Sequence, residues 1–220
     1  EGAIVPVFVN GGWESEGETI LGADNKAAVA VFLELARRAK IEGAPVDLEL
    51  CFTVAEEPGL LGAHALDVSK FRSQFGYVYD HATPIGEIIG GSPTHIRWRA
   101  DIRGRAAHAG IAPEDGRSAI TTAARAIAKL PDSRLDELTT ANVARIRGGV
   151  AGTNVVPEHC QVDGEVRSLE DGRAEIITEG VTEAFQDAAN EPGCQCDLGF
   201  TIEHSFVGYK LGEDEPAVVA

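Results

Sequence analysis

The chain has 220 residues, 44% of them hydrophobic, enough to bury one or two cores. Its 19 basic and 35 acidic side chains give a formal charge of −16, which argues against a nucleic-acid or anionic-membrane surface. No apolar run approaches the length of a membrane span, and four cysteines outside any zinc-ribbon spacing read as reduced thiols of a cytoplasmic protein. The sequence contains no Met and opens at Glu1, so we expect its true start to lie upstream.

In chain order, a strand is expected over residues 4–9, followed by a Gly-rich loop from Asn10 to Gly17. A helix is expected over 27–39. There Val29, Phe32, Leu33 and Ala36 form one i, i+3, i+4, i+7 stripe, and Ala28, Val31, Leu35 and Ala39 form a second, which predicts a mostly buried helix. Asp24 stands at its entrance, where a carboxylate can cap orphan N–H groups. Next, Val46, Leu48, Leu50, Phe52 and Val54 alternate with Asp47, Glu49, Cys51 and Thr53, the period of a strand with one buried face, running to Glu56. Neighbours on a strand point to opposite faces. Glu56 and Glu57 could therefore serve one site only if the backbone turns, and Pro58-Gly59 supplies that turn. A helix over 60–66 and a strand over 75–79 lead to Asp80-His81. Asp24, Glu56 with Glu57, and Asp80 thus sit at three successive element ends, where open α/β sheets bind ligands. A solvated acidic loop is the plain alternative.

The pattern changes after Gly90-Gly91-Ser92-Pro93, read as a linker. Ile96, Trp98, Ala100 and Ile102 alternate with Arg97, Arg99, Asp101 and Arg103, a strand with one wet face. A loop holding His108 leads to a helix over 115–130 with Ile120, Ala123, Ala124 and Ile127 inward and Pro131 as its stop. Strands are expected over 143–147 and 160–167. Ser168 and Asp171 match a capping-box spacing before a helix carrying Ile177, Val181, Phe185 and Ala188, and a last strand covers 196–204. The order βαββαβ is that of a ferredoxin-like domain, with an antiparallel sheet and two helices on one face. From Val207 another element begins. The expected division is 1–90, 91–206 and 207–220.

Four stretches together resemble the signatures of the M20 metallopeptidases. They are Leu21-Gly22-Ala23-Asp24-Asn25-Lys26-Ala27-Ala28, Val54-Ala55-Glu56-Glu57-Pro58-Gly59-Leu60-Leu61-Gly62-Ala63, Gly104-Arg105-Ala106-Ala107-His108-Ala109-Gly110, and Gly148-Gly149-Val150-Ala151-Gly152-Thr153-Asn154-Val155-Val156-Pro157. The branch they resemble most is the peptidase T-like tripeptidases. The resemblance implies an α/β fold: a catalytic zinc-peptidase-like domain, incomplete here, interrupted by a ferredoxin-like lid that also dimerises. It implies two divalent metal ions, zinc with cobalt or manganese as alternatives. Asp24 would bridge both ions, Glu57 and Asp80 would each hold one, and Glu56 would be the general base.

For the lid, the resemblance implies that His108 reaches into the active site of a second copy and steadies the oxyanion. Asn154 would offer its amide to substrate, or only stabilise its own turn. Arg167 would grip a substrate carboxylate, or only cover its sheet face. The family's first histidine ligand belongs to a motif upstream of Glu1 and its last to a segment beyond Ala220. Each metal would then keep two protein ligands where a catalytic zinc takes three plus water, so we expect this chain alone to be an inactive fragment. Asn25 stands where many members carry a second Asp. The expected function is cleavage of short peptides by a cytoplasmic homodimer joined through the lid, with no nucleic-acid or membrane partner. The alternatives are an N-acyl amino acid amidohydrolase of the same family and a catalytically silent binding or dimerisation module.

Overall fold

The computed structural model describes residues 3–81 and 84–219. The chain divides into two compact units, one of residues 1–87 with 214–220 and one of residues 88–213.

The first unit opens with a hairpin, β1 (Pro6–Val9) against β2 (Gly12–Ser15). The loop expected from Asn10 to Gly17 is thus half strand. Asn10 and Gly11 both have positive φ, the pair of angles that a two-residue Asn-Gly turn needs to match the twist of its strands. Helix α1 (Lys26–Glu42) is longer than expected, and its burial expectation is corrected. Among its described residues only Ala28 is buried, and Leu33 is 61% exposed. What does pack on α1 is aromatic: Phe32 meets Phe52 and Tyr79 edge-on, at ring separations of 5.7 and 5.5 Å.

Residues 46–56 and 75–79, expected as strands, are not strands in this structure. A strand exists through its ladder, and neither segment has a backbone ladder partner among the described residues; Phe52 is 52% exposed. Their placement comes instead from side chains. Glu49 accepts hydrogen bonds from the backbone N–H groups of Arg72 and Ser73 at 2.9 and 2.7 Å and from the Ser73 hydroxyl at 2.5 Å, which holds its carboxyl below the usual range. Helix α2 (Leu61–His64) is shorter than the expected helix, and a 3-10 turn follows at Val68–Lys70. A last short helix, Pro216–Val219, receives the Tyr77 hydroxyl on the Ala217 carbonyl at 2.9 Å.

The second unit is the expected ferredoxin-like domain. Its elements are β3 (Gly91–Ser92), β4 (Thr94–Arg103), α3 (Ala119–Ile127), β5 (Ser133–Arg134), β6 (Thr139–Gly148), β7 (His159–Ser168), α4 (Arg173–Asn190), β8 (Asp197–Phe206) and β9 (Tyr209–Lys210). The antiparallel sheet runs β5-β6-β7-β4-β8, and the short β3 and β9 pair separately, tying the entry of the unit to its exit. Ile96, Trp98, Ala100 and Ile102 face the helices as their alternation predicts, packed with Val162 and Val166 of β7 and with Ile177, Val181 and Phe185 of α4.

Two helix details differ from expectation. The buried face of α3 is Ala119, Thr122, Ala123 and Ala126, while Ile120 and Ala124 are exposed. Small residues let this helix lie close on the sheet, and Ser118, not a residue near 115, caps it by accepting from Thr121 N at 3.1 Å. The capping box of Ser168 and Asp171 is absent. Ser168 Oγ is buried against Thr139 Oγ1 at 3.0 Å, and Gly172 precedes α4 with φ +72°.

At the end of the sheet where β4 begins, His95 is buried, 2% exposed, with Nε2 3.0 Å from Glu165, which Arg167 also binds at 2.9 Å. Burial, then the Arg167 and Arg97 charges, push the His95 ring below its ordinary 6.5 against the opposing pull of Glu165. Glu165 is held below 4.5 by Arg167 and His95 although burial opposes this. Both shifts act in one direction. The unfolded chain takes up protons more readily than the folded one, so this cluster loses stability as pH falls below about 6.5 at His95 and again below about 4.5 at Glu165. Thermal unfolding followed against pH should show the first loss in the parent and not in His95→Gln. Identical pH profiles for the two would refute it.

Candidate active site

The loop that carries Glu56 and Glu57 is the most tightly folded part of the first unit. Gly59 N and Leu60 N donate to Glu56 O at 2.9 and 2.7 Å, Leu61 N to Ala55 O and Gly62 N to Val54 O at 3.0 Å each. Helix α2 therefore starts directly on the segment that bears the acids. Ala55 and Leu60, with φ of 56° and 59°, are left-handed at both ends of the turn, a strained conformation that collects at functional sites. Gly62 has to be glycine, because a Cβ there would collide with the Val54 carbonyl and sit 2.6 Å from its nitrogen.

Asp24 and Asp80 are brought to this loop from the other side. Asn25 caps α1, its side-chain oxygen accepting from Ala28 N at 3.2 Å, while its amide donates to the Tyr79 carbonyl at 2.7 Å. The cap expected of Asp24 is thus made by its neighbour, and the same amide fastens the chain next to Asp80. Periodicity could not reveal this role, although an Asn immediately before a helix is the type that caps best.

The four acids are exposed and close enough to feel each other. Glu56 is raised above its ordinary value by loss of hydration and by the charges of Glu57, Asp80 and Asp24; Asp80 is raised by loss of hydration and by the neighbouring Asp24 carboxylate. His81 acts weakly in the opposite sense. Like charges so gathered, with no ion pair to them among the described residues, fit a cation, and carboxylate oxygens are donors suited to a hard divalent ion. Among the described residues no group of three His, Cys, Asp or Glu is arranged around one point, so the donors fit in charge and type without forming a closed ligand set.

In the second unit, His108 and Asn154 lie side by side. His108 bridges to Val155, Ala109 N donates to Asn154 O at 2.9 Å, and Val156 N donates to Ala107 O at 2.9 Å. Gly110 N donates to His108 Nδ1 at 3.2 Å, so the neutral ring carries its proton on Nε2, which is left to donate outward. Arg167 is elsewhere. It sits at the far end of β7 from His159, roughly 26 Å along the strand at ~3.3 Å per residue, engaged with Glu165. One copy of the chain therefore does not bring Arg167 to His108 and Asn154.

Residues 91–192 match the M20 peptidase dimerisation domain, and residues 14–85 match the M42 glutamyl aminopeptidase family. An uncharacterized protein of Bacillus subtilis (strain 168) is 40% identical over 216 residues, 98% of this chain and 57% of its own. The crystal structure of aminopeptidase PepT from Bacillus cereus superposes with a TM-score of 0.88 at 40% identity, over 98% of this chain and 57% of that one. The chain resembles the M20 peptidases, and among them the peptidase T-like side. A Staphylococcus aureus tripeptidase structure also superposes, with a TM-score of 0.89 at 35% identity, over 97% of this chain and 57% of that one. The chain therefore spans a little over half the length of these relatives, 57% in each of the three.

Proposed function

We propose that this chain carries the metal-holding acids and the general base of a peptidase that cleaves short peptides, in the manner of a tripeptidase. The observation that carries the reading is that Asp24, Glu57 and Asp80, from three separate segments, lie near enough to Glu56 for their charges to raise it. Asp24 would lie between two divalent ions, with zinc as the expected metal, and Glu57 and Asp80 would each hold one. Bound divalent ions supply an ionised water at neutral pH and polarise the scissile carbonyl.

The remaining chemistry falls to the chain itself. Glu56, at a turn held rigid by its own backbone hydrogen bonds, takes the proton of the attacking water and returns it to the leaving amine. The His108 Nε2–H donates to the carbonyl oxygen as negative charge grows there. Asn154 orients the peptide, and Arg167 binds a substrate carboxylate bidentately, which would select short peptides by their free end. Because His108 and Arg167 lie at opposite ends of one sheet, the two residues would serve a single substrate only by coming from different copies. That supports a homodimer joined through the second unit. Four free cysteines suit a reducing cytoplasm, and no helix among the described residues is long and apolar enough to cross a membrane.

The test is zinc content and tripeptide hydrolysis, measured on this polypeptide and on the polypeptide encoded by its whole reading frame. The expected result is metal uptake and cleavage by the latter. Absence of both from the whole reading frame product would sink the peptidase reading.

A further inference from the structure

The sheet of the second unit has one face under α3 and α4 and one open face, and the arginines of the open face are treated unequally. Toward the middle, and toward the end where β4 begins, arginines are matched. Arg99 and Arg145 share Asp163 at 2.6 and 2.7 Å, and Arg167 binds Glu165 at 2.9 Å. Toward the end where β4 and β6 finish and β7 starts, the arginines continue, and among the described residues no acid forms an ion pair with them. Arg103 stands across the ladder from His159, and Arg147 across from Gln161.

Gln161 in turn donates to Asp101 at 2.9 Å, so the nearest carboxylate on this face is already engaged. Asp197 is opposite Arg103 on β8, and Glu158 comes to 3.9 Å of the His159 ring, yet among the described residues no ion pair reaches Arg103 or Arg147. Arg103, Arg147 and His159 line one shallow depression of about 380 Å³, together with Asp101, Gln161 and the segments around Ile102, Gly148 and Cys160. In a chain of charge −16, where acids outnumber bases, two arginines without an ion-pair partner among the described residues line one hollow, and the carboxylate that shares it, Asp101, is held by Gln161. Such a pair repels itself and is relieved by an anion; a guanidinium fork matches the geometry of a carboxylate or phosphate.

We propose that this depression is an oxyanion-binding subsite, in which Arg103 and Arg147 grip a carboxylate or phosphate group from two sides and the His159 N–H completes the contact. The site lies wholly within the second unit, and its readout is anion binding rather than turnover, so it stands or falls apart from the peptidase reading.

The experiment is a titration of the full chain with inorganic phosphate, and separately with N-acetylglycine as a carboxylate probe. Both are run at constant ionic strength and followed by amide chemical shifts. Saturable shifts confined to the neighbourhood of residues 101–103, 147–149 and 159–161 are expected for at least one probe, and the tighter probe identifies the source of the oxyanion. Arg103→Gln and Arg147→Gln should each weaken binding about tenfold, as loss of one charge-assisted hydrogen-bonding group implies, while Arg97→Gln on the same face should leave it unchanged. Circular dichroism checks that each variant is folded. Should a variant fail to fold, the localisation of the parent's shifts decides alone. No saturable shift with either probe, shifts spread over the whole surface, or undiminished binding in folded Arg103→Gln and Arg147→Gln would overturn the proposal.

Discussion

Replacing Glu56 by glutamine lowers tripeptide hydrolysis by the whole reading frame product about 10² to 10⁴-fold, the usual contribution of a positioned general base, and leaves the protein folded. Glutamine has the shape of glutamate and can keep its contacts, but it accepts no proton. The backbone of the turn does not depend on the side chain, since the hydrogen bonds that shape it run from Gly59, Leu60, Leu61 and Gly62 to carbonyl oxygens. Glu56→Gln should therefore separate chemistry from architecture. Its zinc content should match the parent's, because the metal-holding roles are proposed for Asp24, Glu57 and Asp80. Glu57→Gln should instead lower metal uptake together with activity. The assignment is refuted if Glu56→Gln retains activity within about threefold of the parent, or if it loses metal as fully as Glu57→Gln does.

The acids proposed for this site stood out in the sequence because they fall at the ends of successive apolar segments, and an apolar segment that stops in a carboxylate has to solvate or pair it. What fastens them was not legible. The Asn25 amide reaches the carbonyl of Tyr79, 54 residues away, and no local period reports a contact of that range. The two units also differ in how far alternation foretold structure. In β4 each apolar residue has neighbours on β7 and β8 and two helices above it, so the pattern of Ile96 to Ile102 and the fold agree. Residues 46–54 alternate just as cleanly, yet a period of two describes a tendency, and among the described residues no ladder makes that segment a strand. Ser168 misled for a related reason. Its spacing to Asp171 suited a cap, but the buried hydroxyl of Thr139, 29 residues earlier in the chain, holds it in the sheet. In α3, Ile120 drew the inward face toward itself by size. Alanines won, because a helix that lies flat on a sheet gains more by close approach than by one large side chain at its rim.

Phe185→Ala should cost the second unit about 3 to 5 kcal/mol, the largest stability loss expected of any single truncation in this chain. Phe185 is fully buried in the C-terminal half of α4, its ring 5.7 Å from Trp98 and 6.0 Å from Phe200, so one side chain joins the helix to the two strands at that edge of the sheet. Alanine would leave a void lined by two large aromatic faces. Trp98 has little freedom to fill it, because its other side lies on Gly164, where even an added Cβ would collide with the indole and with the Asn142 carbonyl, 2.5 Å away. A site that cannot relax pays the upper part of the range for a cavity. The same contact predicts that Gly164→Ala is destabilising from the opposite direction, by overpacking of about 1 to 3 kcal/mol. Denaturant unfolding followed by Trp98 fluorescence reads both. A midpoint for Phe185→Ala within experimental error of the parent would show that the aromatic cluster is not what holds α4 to the sheet. If instead Phe185→Ala is strongly destabilised and Gly164→Ala is not, the indole has room to move, and the void left by Phe185 should then be partly filled by it.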